Sequence, residues 1–201
     1  MALNANALVT LAQGKTYLKI PVLDLTQDSM VEFFINAASD YIESETDRKL
    51  KSQSQTEYHD GKKSNILVLR EFPVTAIASL KFDYTGKFTG NETIVNAENY
   101  GIGDEGNSLY YRGYLPSGYR NIQIVYTAGL ATIPMDLQNA CLWAMTYYYQ
   151  MRENKDIGRT AKGKGDESVS ILQEMPPEVK NIVARYSRLE VANSAHMGRY
   201  G

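Results

Sequence analysis

Histidine and cysteine are almost absent from this sequence: His59, His196 and Cys141 are the only ones in 201 residues. A single cysteine excludes an intramolecular disulfide. The two histidines lie far apart, one beside a predicted turn and one in the C-terminal tail, and neither has a companion at helical or zinc-ribbon spacing. A Cys141 nucleophile would need a histidine brought from one of those places. Cys141 also falls on the apolar stripe of a predicted helix, where a buried structural thiol is the plainer reading. Long apolar runs are missing too, since nothing approaches the roughly 20 residues that span a bilayer. No basic-apolar-small leader opens the chain, which predicts a reducing compartment. The formal net charge is only -2, which argues against a protein whose affinity comes from neutralising phosphates.

What remains is ordinary globular composition, 43% hydrophobic and 22% charged, with one excess: fifteen tyrosines. Tyrosine joins a large, rather rigid apolar body to a polar tip, which suits surfaces later buried against a partner, although core packing uses it equally well.

The hydrophobic period divides the chain. Thr10 to Gln13 has the form of a capping box and opens a short helix over 10–18, in which Gly14 is out of place. A second box, Ser29 to Glu32, opens a helix over 29–48 with Met30, Phe33, Phe34, Ala37, Ala38, Tyr41 and Ile42 on one stripe. Glu32, Asn36, Ser39, Asp40 and Glu43 take the opposite, solvated face. Over 53–127 the period changes to two: Ile66 to Leu69, Ile77 to Phe82, Ser108 to Tyr111 and Ile122 to Tyr126 read as strands. Asp60-Gly61, Thr85-Gly86, Gly90-Asn91 and Ser117-Gly118 supply turns between them, and the short connections require an antiparallel sheet. Pro134 opens a helix over 135–153 with Leu137, Ala140, Cys141, Ala144, Met145 and Tyr148 on its stripe. Its second apolar face holds Leu142, Trp143, Tyr147 and Tyr149. Residues 154–175 read as a flexible basic loop, and 176–201 as a helix with Val179, Ile182, Val183 and Tyr186 in register, followed by an extended arm.

Two glycine motifs fail on context. Gly101 to Gly106 matches a dinucleotide fingerprint by letter, but it lies between strands instead of opening a helix, and two carboxylates would face the pyrophosphate. Gly158 to Lys164 approaches a phosphate-binding loop, yet Gly165 stands where a magnesium-binding hydroxyl is required. The expectation is therefore a non-enzymatic chain with no cofactor and no metal.

Several segments, in order, resemble the tailed-bacteriophage head-tail connector family, also called head-tail adaptors or head completion proteins. Residues 35–43 are similar to its "AAS-xx-IE" helix. Thr56 to Gly61 and then Leu67 to Ile77 resemble its strand, "PVT" turn and strand. Val125 to Gly129, Ile133 to Leu137 and Ala140 resemble its "Y-x-AG... P-x-DL-xx-A" entry to the long helix, and Tyr148 to Glu153 the end of that helix. The likeness covers most of residues 8–190. It implies a structural virion protein made in the host bacterial cytoplasm. It further implies a homo-oligomeric ring, typically dodecameric, docked on the portal and meeting the tail or the next connector, with double-stranded DNA passing through it.

The resemblance also implies that the C-terminal segment reaches the portal, which assigns Val179, Ile182, Val183, Tyr186, Arg188, Arg199 and Tyr200 to docking. The physics adds three expectations. A ring subunit buries two side surfaces, which gives Trp143 and Tyr147 an interface, with a core aromatic pair as the alternative. Glu32, Asp40 and Glu43 form an acidic face that would repel phosphates along a DNA lumen. Lys155, Arg159, Lys162 and Lys164 form a basic loop that orders on a partner. The expected fold is α+β: a helical bundle with an inserted antiparallel sheet, residues 1–153, then the loop and the C-terminal helix and arm. Rival readings are another ring of the same stack, a head-closure or tail-terminator protein, and a monomeric nucleic-acid-binding accessory that uses the basic loop as a phosphate patch.

Overall fold

The computed structural model describes residues 2–154, 161–164, 167–170 and 174–187, the two short pieces at 161–170 by backbone alone. It divides into two units, one of residues 1–48 with 133–201 and one of residues 49–132, so the sheet is an insertion between helices as the periodicity predicts.

The first unit is helical. Helix α1 (Leu11–Tyr17) starts on the predicted capping box: Thr10 Oγ1 accepts from the Gln13 amide while the Gln13 side chain accepts from the Thr10 amide. Helix α2 (Asp28–Thr46) begins one residue before the predicted Ser29 cap. A 3₁₀ turn, Leu25–Gln27, leads into it and is itself capped by Asp24, whose carboxylate accepts from the Thr26 amide and hydroxyl. Helices α3 (Met135–Glu153) and α4 (Pro177–Arg185) complete the bundle. Helix α2 packs on α3, and α4 packs on both. The α3 stripe follows the prediction over Leu137, Ala140, Cys141, Ala144 and Met145, all fully buried, while Tyr148 at its end is half-buried.

The buried stripe of α2 is rotated from the expected one. It comprises Val31, Phe34, Ile35, Ala38, Ser39, Ile42 and Thr46, while Phe33 is half exposed. The hydroxyls fit because each satisfies itself on its own helix: Ser39 Oγ donates to the Ile35 carbonyl at 2.8 Å and Thr46 Oγ1 to the Ile42 carbonyl at 2.9 Å. The N-terminal segment then covers the side expected to face water. Leu8 N–H donates to Ser39 Oγ, Asn4 N–H to Asn36 Oδ1 and the Asn36 amide group to the Ala2 carbonyl. Hydrogen bonds to a covering backbone replace those to water, so Asn36 and Ser39 are buried.

The second unit is a pair of antiparallel sheets. Strands β1 (Gln53–Gly61), β3 (Val74–Phe82), β4 (Thr93–Ile94) and β7 (Gly118–Ala128) make one, ordered β1-β7-β3-β4; β2 (Ile66–Val68), β5 (Tyr100–Ile102) and β6 (Ser108–Tyr111) make the other, ordered β2-β6-β5. Ile122, Ile124, Tyr126 and Ala128 alternate inward along β7 and join Leu80, Leu67 and Leu109 in a core between the sheets. Asp60-Gly61 is not a turn: β1 runs through it with an irregular register after His59. Only glycine fits there, because a Cβ on Gly61 would lie 1.5 Å from the Pro116 carbonyl oxygen. The fingerprint-like glycines lie in β5 and in the turn to β6.

Part of the basic segment expected to be a flexible loop is a hairpin of β8 (Ala161–Lys164) and β9 (Glu167–Ser170), paired from Lys164↔Glu167 outward.

Candidate assembly surfaces

The titratable groups of the interior serve the fold. Cys141 is fully buried beneath Ser39 Oγ at 3.6 Å, and burial pushes its thiol up to about 11, so it stays protonated at neutral pH. His59 reaches Glu57 Oε2 at 2.7 Å, and Tyr126, buried at the sheet centre, donates its hydroxyl to Glu57 Oε1 at 2.5 Å and accepts the Glu71 amide. Burial alone would raise the Glu57 pKa; hydrogen bonds from His59, Tyr126 and the Arg70 amide outweigh it and hold the carboxyl below its ordinary value. Burial, followed by the hydrogen bond to Glu57, raises Tyr126. This is a structural network linking β1 to β7. Among the described residues no group of three His, Cys, Asp or Glu side chains could hold a metal ion, and no helix is long and apolar enough to cross a membrane.

On the helical unit the predicted surfaces fare unequally. Trp143 and Tyr147 are half-buried on α3, with the Tyr147 ring 5.8 Å from that of Tyr148. Val179 and Val183, assigned above to docking, are buried against helices of their own chain at 0% and 3% exposure. Burying this apolar stripe is what holds α4 in place, so those two valines are not available to a partner. Tyr186 is committed as well: its hydroxyl donates to both Asp136 oxygens at 2.8 and 2.9 Å, and Arg185 pairs with the same carboxylate at 3.2 Å. Ile182 is half-buried. Arg188, Arg199, Tyr200, Lys155 and Arg159 lie outside the described residues, while Lys162 and Lys164 lie on β8.

The acidic face is partly covered. Asp40 is exposed and Glu32 half-buried, but Glu43 is only 7% exposed. The Asn6 amide group bridges the two carboxylates, donating to Asp40 Oδ1 at 2.9 Å and Glu43 Oε2 at 3.0 Å. Glu43 was expected in solvent because α2 reads as one-sided; the N-terminal segment supplies the second cover.

Two surfaces escaped sequence reasoning. The first is the α1–α2 loop, where Val22, Leu23 and Leu25 are 55%, 93% and 73% exposed. It is rigidly held, since Lys15, 1% exposed on α1, donates its ammonium protons to the Val22 and Asp24 carbonyls and to Asp28 Oδ1 at 2.6–2.8 Å. The second lies in the sheet unit, a groove of about 610 Å³ between β1 and β2 that is lined by Tyr58, Ile66, Val68, Tyr119, Lys62 and Arg120. The Arg120 guanidinium sits 5.2 Å from the Tyr58 ring centre. The alternation in β2 could have pointed to it, because Ile66 and Val68 share one face and Leu67 takes the other.

A family model described as "Head completion protein" matches residues 7–189. The chain belongs to the head completion protein family. It is thus a viral structural protein of the head-tail connector class and not an enzyme. The solved structures agree in fold. A chain from the neck of an empty GTA particle computed with C6 symmetry superposes with a TM-score of 0.65 at 20% identity, covering 93% of each chain. One from the virion of the native gene transfer agent particle gives 0.61 at 21% identity, covering 93% of this chain and 92% of that one. One from the neck of the native GTA particle computed with C12 symmetry gives 0.60 at 21%, covering 93% and 95%. No curated protein matches by sequence. The head completion match ends at Leu189, so Arg199 and Tyr200 lie beyond it.

Proposed function

We propose that this head completion protein forms a ring in the neck of a virion, docks on the portal and joins the DNA-filled head to the tail as a conduit for DNA. The observation that carries this is coverage: the likeness to neck chains spans 93% of this chain and nearly all of theirs, in particles computed with six- and twelvefold symmetry. A ring of twelve copies agrees with both symmetries. The half-buried Trp143 and Tyr147 are interface candidates between copies. Ile182 and the segment from Arg188 through Arg199 and Tyr200 are the candidates for portal docking once Val179, Val183 and Tyr186 are committed to the bundle. Lys155, Arg159, Lys162 and Lys164 remain candidates for a second contact with a partner. Glu32 and Asp40 are candidates for a lumen wall that lets duplex DNA slide, with Glu43 lending charge from behind.

The test is the mass of the purified protein alone and mixed with portal rings or capsids. A large ring-shaped particle on the portal is expected, and a strict monomer that ignores portal rings would sink the proposal. Truncation after Leu189 should abolish portal binding while the fold survives.

A further inference from the structure

The Leu23 loop and the sheet groove are complementary in chemistry. Leu23 stands almost fully solvated and Leu25 mostly so, on a loop whose backbone is clamped by a buried ammonium. An apolar protrusion already fixed in conformation loses little entropy on binding. The groove offers apolar side chains, Tyr58, Ile66, Val68 and Tyr119, with Lys62 and Arg120 as cations and Asp60, which accepts the Arg120 amide, as the one carboxylate. Tyrosine beside arginine is the composition of interface hot spots. The loop brings Asp24, held ionised below its ordinary carboxylate range by hydrogen bonds from the Thr26 side chain and amide. Apolar thus meets apolar, and an anion meets a groove in which two cations outnumber one carboxylate.

From this complementarity we propose that the Pro21–Gln27 loop of one copy inserts Leu23 and Leu25 into the β1–β2 groove of the next copy, forming the repeating contact of the ring. Two different patches on one chain that fit each other make a heterologous contact, the kind that generates a closed ring. The proposal rests on the ring reading and deepens it by naming a contact.

The test uses the full chain, with and without portal rings. A Leu23→Cys, Val68→Cys double variant, oxidised after assembly, should give a ladder of disulfide-linked multimers, whereas each single variant gives none. Mixing the two single variants should give linked dimers only. Leu23→Asp, at a solvated position, should leave the melting curve of the monomer unchanged and raise the concentration for half-assembly by about tenfold or more, seen by sedimentation velocity. Rings that form without the ladder, a disulfide closed within one chain, or unaltered assembly by Leu23→Asp would each overturn the contact while leaving the ring reading standing. A wild-type chain that never assembles, alone or on portal rings, takes both down.

Discussion

The helical unit and the sheet unit differ in the polar network that ties their elements together. In the bundle, Ser39 and Thr46 bond to carbonyls of their own helix, and Lys15 bonds mainly to loop carbonyls, so its buried polarity is mostly side chain to backbone. In the sheet unit, β1 turns Gln53, Gln55, Glu57 and His59 to the same side as the inward residues of β7, its register partners. There a side-chain network, Glu57 with His59 and Tyr126, joins two strands, while the buried Asp83 and Asn121 bond to backbone as in the bundle. Groups bonded to nearby backbone tolerate neighbouring change, whereas side-chain networks across strands fail when one member is lost.

The largest expected effect tests the tightness of the sheet unit. Gly61→Ala places a methyl into the Pro116 carbonyl, backbone against backbone. It should cost about 4 kcal/mol or prevent folding, read as loss of soluble yield or by urea denaturation. Next comes the clamp of the helical unit. Lys15→Met keeps the stem but strips the ammonium from two carbonyls and Asp28, and should cost about 3 kcal/mol in the same assay. Tyr126→Phe removes one hydroxyl from the Glu57 network and should cost about 2 kcal/mol; a neutral result would erase the contrast between the units.

The pH dependence sharpens the contrast further. The folded pKa of Glu57 lies below its unfolded value, so its stabilisation is present above the ordinary carboxyl range and is lost as pH falls through the lowered value. Stability measured from neutral pH down toward pH ~3 should decline on that limb, and Glu57→Gln should flatten part of it. Smallest is Thr10→Ala, which removes the α1 cap for about 1 kcal/mol and should leave the acid limb unchanged.

The elements that sequence reading found are those whose pattern is local. The α3 stripe, the Thr10 box, the α4 register and the β3 and β7 strands follow from apolar period or capping chemistry. Strand β1 was legible only through family resemblance, because its inward residues Gln53, Gln55, Glu57 and His59 are polar. The α2 face was misread because Ser39, Asn36 and Glu43 count as solvent residues until a covering segment supplies their partners. Among the candidate sites, residue types pointed correctly to a structural role, but the docking valines failed: an amphipathic stripe looks the same whether its own chain or a partner covers it.

Local residue patterns alone specify the order of α1 to α4 and of β2, β3, β6 and β7, the insertion of the sheet unit, the buried thiol and, through motifs, the family, since each depends on residues near one another in the chain. Only the tertiary structure decided which apolar and polar faces are spent internally, because that depends on residues far apart. Gly14 is the clearest case. In sequence it only weakens α1, whereas in the bundle a Cβ there would meet Ile35 Cδ1 at 2.9 Å and Met145 Sδ and Val31 Cγ1 at 3.2 Å. The residue is small so that α1 can lie close against α2 and α3, a requirement that exists only once the three helices are packed.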